Sequence, residues 1–428
     1  MSDGPSRGID RRAFMKSALA IGGASALSAC LDRTSDEDVP RGTTETDPSS
    51  LPERQHAWND ALARDDAGNP EPVQHRLLLL LDYDGDGAPS DADRRTVADA
   101  LDALERAYAW RHDGLLSTMA YSPAYFDRFE TDLPESVDLP APTALASFED
   151  PALDTPDAIL HLASDHAHVL LAVEQALTGE TDALNGVSVD ATLTDVFSVA
   201  QRRTGFKGDG HPADNQDARG VPTSKPVPDD APLYMGFKSG YTETQASEDR
   251  VTIESGPFAG GTTQHASHMR LNLEQWYEQD DREARVGKMF CPYHAEHDVV
   301  EGAGDNLGTD AAMSKAKPAA EAAETDGFVG HSQKMFGLRE DGRPLILRRD
   351  FDSTDGGHAG LHFVCYQRAI SEFVATREAM NGDDLAGDSP LGRRDNNGIL
   401  QYIDVANRGN YLVPPRSLRA LPTPRGDA

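Results

Sequence analysis

The chain predicts an α+β fold made of two ferredoxin-like halves, each running strand, helix, strand, strand, helix, strand. Three observations predict it. A continuous leucine run fills positions 77–81, an amphipathic stretch follows it at helical spacing, and similar strand and helix signals return in the second half of the 428 residues. The run at 77–81 is short, apolar throughout and followed by Asp-Gly turns, which suits a strand buried on both faces. Val97, Leu101, Leu104 and Tyr108 then recur at helical intervals and predict a helix over 92–109, with Asp91 as its N-cap.

Positions 115–121 read as the second strand and, after a proline-rich connection, 158–163 as the third. A second amphipathic helix is expected over 167–177, and further strand signal lies within 187–199. In the second half, strands are expected at 250–254, 263–270, 345–349 and 361–366, with helices at 273–278 and 368–379. The stretch 302–327, rich in Ala, Lys and Glu, reads as a surface excursion.

The N-terminus reads as an address. Asp10-Arg11-Arg12-Ala13-Phe14-Met15-Lys16 carries a twin arginine, an aromatic and a following lysine. The apolar stretch from Ala18 to Leu27 is too short and glycine-rich to span a bilayer permanently, so it suits a signal sequence for the twin-arginine (Tat) translocase. Leu27-Ser28-Ala29-Cys30 is the pattern of a lipoprotein cleavage site, which makes Cys30 the acylated first residue of the mature chain and the anchor to the outer face of the membrane. The alternative is an ordinary signal cleaved near Ala29, with Cys30 merely adjacent. The expected organisation is a signal at 1–30, an acidic, disordered tether at 31–70, a first half at 71–204 and a second at 205–428.

Seventy-two acidic residues face 40 basic ones, for a formal net charge of −32. Such a surface repels nucleic acid and does not suit polybasic membrane binding. The acids are spread over the whole chain, as in proteins that stay hydrated in concentrated salt, so charge says little about substrate. Of three cysteines, Cys291 and Cys365 remain after Cys30, which allows one disulfide but no disulfide scaffold.

Three short segments carry candidate chemistry. Gly205-Phe206-Lys207-Gly208-Asp209-Gly210 holds a glycine-flanked aspartate, by itself ordinary turn chemistry. Gly330-His331-Ser332-Gln333-Lys334 holds a lone histidine. Ile346-Leu347-Arg348-Arg349-Asp350 places two arginines on an expected strand. Consecutive strand residues face opposite sides, so one guanidinium must point inward, where it needs an anionic partner.

In this order the segments resemble the dye-decolourising (DyP-type) peroxidase family, including its deferrochelatase-like exported members, over nearly the whole mature chain. Gly114-Leu115-Leu116-Ser117-Thr118-Met119 is similar to the family's early glycine-led strand. Gly260-Gly261-Thr262 with Trp276, the strand Gly360-Leu361-His362-Phe363-Val364-Cys365-Tyr366-Gln367, and the closing Gly409-Asn410-Tyr411 and Val413-Pro414-Pro415 are similar to later elements. The resemblance implies a dimeric α/β-barrel type of fold and haem b held in the second half. It implies His331 as proximal iron ligand, and Arg348 and Asp209 as distal catalytic groups. His331 precedes Arg348 by 17 positions, one short of the family's spacing, and Gly205 to Asp209 encloses one position more than the family's Gly-x-x-Asp-Gly. The implied partners are peroxide, an unidentified reducing substrate and further copies of the chain. In such sites an imidazole holds the iron, a carboxylate moves the peroxide proton, and a guanidinium stabilises charge on the leaving oxygen.

The alternative is a non-enzymatic haem-, iron- or other metal-binding lipoprotein on the same fold. Cys291, His294 and His297 recur at three-residue spacing, and such ligands could hold zinc or copper, or form an ordinary histidine-rich wall. His265 and His268, three apart on a strand, face opposite sides and cannot ligate from one face. The acidic stretch 82–93 mimics a calcium loop but reads better as an acidic lead into the first helix.

Overall fold

In the computed structural model, residues 39–42, 51–224, 227–385 and 391–426 are described. The signal segment, Cys30 and residues 31–38 and 43–50 of the expected tether lie outside them.

The leucine run forms β1 (His75–Tyr83), and its alternation sorts two cores. Leu77, Leu79 and Leu81 face a helix layer, whereas Leu78 and Leu80 face the opposite side with Ile159, Ala266, Val364 and Tyr366. Helix α1 (Asp91–Ala107) has Ser90 rather than Asp91 as its N-cap. The Ser90 hydroxyl accepts from the Asp93 N–H at 3.2 Å, and the Asp93 carboxylate accepts from the Ser90 N–H at 2.8 Å. This capping box occupies the last acid of the stretch that mimics a calcium loop.

The next elements are β2 (Leu116–Tyr121), β3 (Ala158–Ser164), α2 (Ala167–Leu177) and β4 (Phe197–Phe206). Strand β4 lies beyond most of the 187–199 signal, because Ala183–Leu184 and Val187–Ser188 close a tight hairpin first. It also crosses the boundary expected at 204/205. Later come β5 (Thr262–Leu271), α3 (Arg282–Met289), α4 (Pro292–Glu296), α5 (His331–Phe336), β6 (Leu347–Arg348), β7 (Phe351–Ser353), β8 (Gly360–Gln367), α6 (Ile370–Asn381) and β9 (Ile403–Val413). Residues 250–254 form turns instead of a strand, and Gln275–Gln279 is a single π-helical turn where an α-helix was expected.

The strands share one sheet in the order β7-β4-β1-β3-β2-β9-β5-β8-β6, with the two-residue strand Ala152–Leu153 parallel to β9. Because β7 pairs with both β4 and β8, the sheet closes on itself into a barrel-like ring within a mixed α/β fold. Strands β6 and β7 read as one strand interrupted at Arg349 and Asp350.

Residues 51–70, expected as solvated tether, instead pack on the barrel. Trp58 is fully buried with Leu62, Val73, Leu116 and Ala163. A tryptophan and a leucine supply enough apolar surface to outweigh the acidic character of the segment.

Candidate functional site

Arg348 pairs in register with Cys365 of β8, so both project to one face. That face is covered by α6, whose Phe373 clusters with Ile346 and Cys365. The Arg348 N–H donates to Gln245 Oε1 at 2.9 Å, and its Nη2 donates to Thr244 Oγ1 at 3.4 Å. Its Nε is buried without a hydrogen-bond partner.

Arg349 turns the other way, as strand alternation requires. Its Nη2 donates to Asn59 Oδ1 at 2.8 Å and lies 3.3 Å from Glu248 Oε1. The inward guanidinium therefore finds its anionic partner. It sits 5.7 Å from the ring centre of Trp58, and Arg76 of β1 lies 5.5 Å from the same ring. Asp350 pairs with Lys207 at 2.9 Å, both buried, and Lys207 also donates to Ser239 Oγ at 2.9 Å. Burial alone would raise the Asp350 carboxyl, but Lys207 and Arg348 outweigh it and hold the group below the usual carboxylate range. Arg76, Lys207, Arg348, Arg349 and Asp350 line one cavity of about 180 Å³ that opens to solvent.

His331 is the first residue of α5. The Gly330 N–H before it donates to Gln333 Oε1 at 3.0 Å. Gly330 is pressed so closely on the Phe290 carbonyl that an added Cβ would lie 1.9 Å from that oxygen, so no larger residue fits. Lys334, one turn on, donates to the Met380 carbonyl and to Asn397, tying α5 to the end of α6. The His331 Nδ1 is buried and lacks a partner. Burial first, then the charges of Lys334, Arg348 and Arg377, pull the imidazole down to about 3. The ring is therefore neutral across ordinary pH, the form in which imidazole binds metal. An orphaned, neutral imidazole of this kind is suited to bind a metal.

Asp209 is not brought to this cavity. It lies exposed on the turn after β4, and its charged neighbours are Asp305, Asp230 and Lys238. The extra residue in the glycine motif explains the displacement. Lys207 takes the inward position, and Gly208 (φ +125°) and Gly210 (φ +85°) carry Asp209 outward.

Cys291, His294 and His297 do not converge. Cys291 Sγ lies 2.8 Å from His294 Nδ1, while His294 Nε2 meets the Ala311 carbonyl at 2.9 Å. His297 is exposed, stacked on Tyr293 with its Nδ1 at 3.1 Å from the Tyr293 carbonyl. Among the described residues no three His, Cys, Asp or Glu side chains are grouped to hold a metal ion. Cys291 and Cys365 are both free thiols, so the disulfide that the sequence allowed is not made. His265 and His268 face opposite sides as expected: His265 stacks on Phe373 at 3.6 Å and His268 on His362 at 4.6 Å.

Arg76, Lys207 and Trp58 went unnoticed in the sequence. For Arg76 a signal existed, since its parity in β1 puts it on the same side as Leu78 and Leu80. Trp58 had none, because Leu116 and Ala163, which help to bury it, lie far along the chain.

Residues 72–415 match the family model described as "Family of unknown function (DUF7405)". No curated protein matches the chain. Among solved structures, a putative DyP-type peroxidase from Shewanella oneidensis is 17% identical, with a TM-score of 0.55 over 81% of this chain and 94% of that one. DyPB from Rhodococcus jostii RHA1 is 16% identical, with a TM-score of 0.54 over 84% and 99%. A variant of the Rhodococcus protein in complex with heme is 16% identical, with a TM-score of 0.53 over 82% and 96%. At this identity the likeness establishes the fold.

Proposed function

The chain belongs to the DUF7405 family, a family of unknown function, and we propose that it is a haem-dependent peroxidase of DyP type. Peroxide and a reducing substrate would be its reactants. One observation carries the reading: an orphaned neutral imidazole, His331, in the helix layer over the sheet face that presents the unpaired guanidinium of Arg348. The DyP-type neighbours support it, one of them a complex with heme.

In this reading His331 would hold the iron of haem b, which when bound would supply the redox chemistry. Arg348 stabilises negative charge developing on a peroxide oxygen. Asp209, the expected proton carrier, sits on an exposed turn, so the role of distal catalytic group falls to Arg348. Asp350 is held ionised in its pair with Lys207, which leaves it a weak proton acceptor.

That placement of Asp209 favours a second reading, a haem-binding protein without turnover. Haem titration followed by peroxide-driven dye oxidation separates the two. The peroxidase reading expects turnover in the wild type and its loss in Arg348→Ala with haem still bound. Haem binding with no turnover in the wild type selects the carrier.

The rest of the proposal concerns assembly and place. The strand order β4-β1-β3-β2 supports a ferredoxin-like first half, and β6-β8-β5-β9 supports a counterpart at 205–428. Export through the Tat translocase, a lipid on Cys30 holding the chain to the outer membrane face, and life in concentrated salt are supported by the N-terminal sequence and the −32 charge. Cys30→Ala should move the protein from the membrane fraction to the medium, and retention on the membrane would contradict the anchor.

A further inference from the structure

Elsewhere in the molecule buried guanidinium groups meet carboxylates. Arg377 and Arg408 share Glu149, Arg203 meets Asp154 at 2.5 Å, and Arg416 and Arg419 share Glu105. Arg76 departs from that pattern, and the half-buried Arg348 likewise has no carboxylate within ion-pairing distance among the described residues. Arg76 is only 2% exposed. Its hydrogen bonds, to the Val73 carbonyl at 3.4 Å and His161 Nε2 at 3.5 Å, are both at the limit of a real bond. A chain with 72 acidic residues does not lack partners for an arginine. A guanidinium cannot shed its proton to escape the cost of burial, so a charge kept this way needs an anion from outside.

Both groups line the same cavity, and the other charges there nearly cancel. Lys207 is matched by Asp350, and Arg349 by Glu248. Arg76 and Arg348 remain without an ion-pair partner, and against them the lining offers one further carboxylate, the exposed Glu71. The volume of about 180 Å³ holds several waters at roughly 30 Å³ each. It lies below the roughly 300 Å³ at which pockets for drug-sized ligands begin. We propose that this cavity binds a small oxyanion, of the size of inorganic phosphate or a short dicarboxylate, at Arg76, with Arg348 in the same lining. Planar guanidinium donors suit such oxygens by paired hydrogen bonds, and Gln245 and Ser247 add neutral polar groups to the wall.

Trp58 provides a built-in reporter, because Arg76 and Arg349 both lie within 5.7 Å of its ring centre and any pull on either guanidinium changes its surroundings. The test is calorimetric titration of the full chain with inorganic phosphate and with succinate, at constant chloride and without added haem. Failure here therefore leaves the haem reading untouched. The expected result is one saturable site, a fluorescence change that disappears in Trp58→Phe, and affinity about tenfold or more weaker in Arg76→Gln. Should Arg76→Gln fail to fold, Arg348→Gln is expected to weaken the same site. Absence of saturable binding of either anion to the wild-type chain overturns the proposal, as does affinity unchanged in the arginine variant.

Discussion

The two stretches of helix–sheet packing in this molecule differ in chemistry. Over β1 to β4, Leu77, Leu79 and Leu81 meet Val97, Leu101 and Leu104 of α1 and Leu170, Val173 and Leu177 of α2 in one apolar cluster. Over β5, β8 and β9 the packing is broken by polar groups. His265 stacks on Phe373 of α6, and Arg377 and Arg408 are held by Glu149 at the same layer. An interface that only has to hold two layers together is filled most simply with leucine. One that keeps buried charges, each needing a partner, carries a requirement beyond stability. The second face is also the one that presents Arg348 on the side covered by α6, to which the helix carrying His331 is tied.

The comparison can be broken from either side. The largest effect is expected on the polar face: Glu149→Gln strands Arg377 and Arg408 without their carboxylate and should cost about 3–5 kcal/mol, read as a lowered urea midpoint. Burial would raise the Glu149 carboxyl, but Arg377 and Arg408 more than offset it and depress the group below its ordinary value of 4.5. A depressed carboxyl adds stability that is fully present above its unfolded value and is lost as pH falls through the folded one. The wild type should therefore lose stability below about pH 4.5, and Glu149→Gln should show a weaker acid limb. An unchanged midpoint would mean that the pair is solvated and the face is not special.

On the apolar face, Leu79→Ala should cost about 2–5 kcal/mol and leave haem binding as it is. A lost haem spectrum in a folded Leu79→Ala protein would show that the two faces are not separable. Smaller still, Ser90→Ala removes the capping box of α1 and should cost about 1 kcal/mol, with Tm as the readout.

Much of the first region was legible in the sequence because its signals are local. Residues 167–177 repeat at helical spacing, and α2 has those bounds. Strand β9 was not read as a strand, although it is 11 residues long. Asn407, Arg408, Gly409 and Asn410 break the apolar run, and each polar group is satisfied only by distant partners such as Glu149 and Pro140. Residues 250–254 read as a strand because Val251 and Ile253 alternate. Both are buried, yet they sit in turns closed by local bonds such as Ile253 N to the Gly261 carbonyl at 2.8 Å. At the site, strand parity sorted Arg348 from Arg349 and His265 from His268. The position of Asp209 depended on one inserted residue and two positive-φ glycines, and the cation cluster depended on contacts between residues 58, 76 and 349, which no local pattern reports.

His331 is the residue on which haem binding is expected to depend most directly. Titration of the full chain with haem, in the wild type and in His331→Ala, should give a Soret band with axial imidazole character in the first and its loss in the second. The loss should come with a stability change of under about 1 kcal/mol, since the ring makes no hydrogen bond that the fold needs. An unaltered haem spectrum in His331→Ala, or no haem uptake by the wild type, would contradict the account.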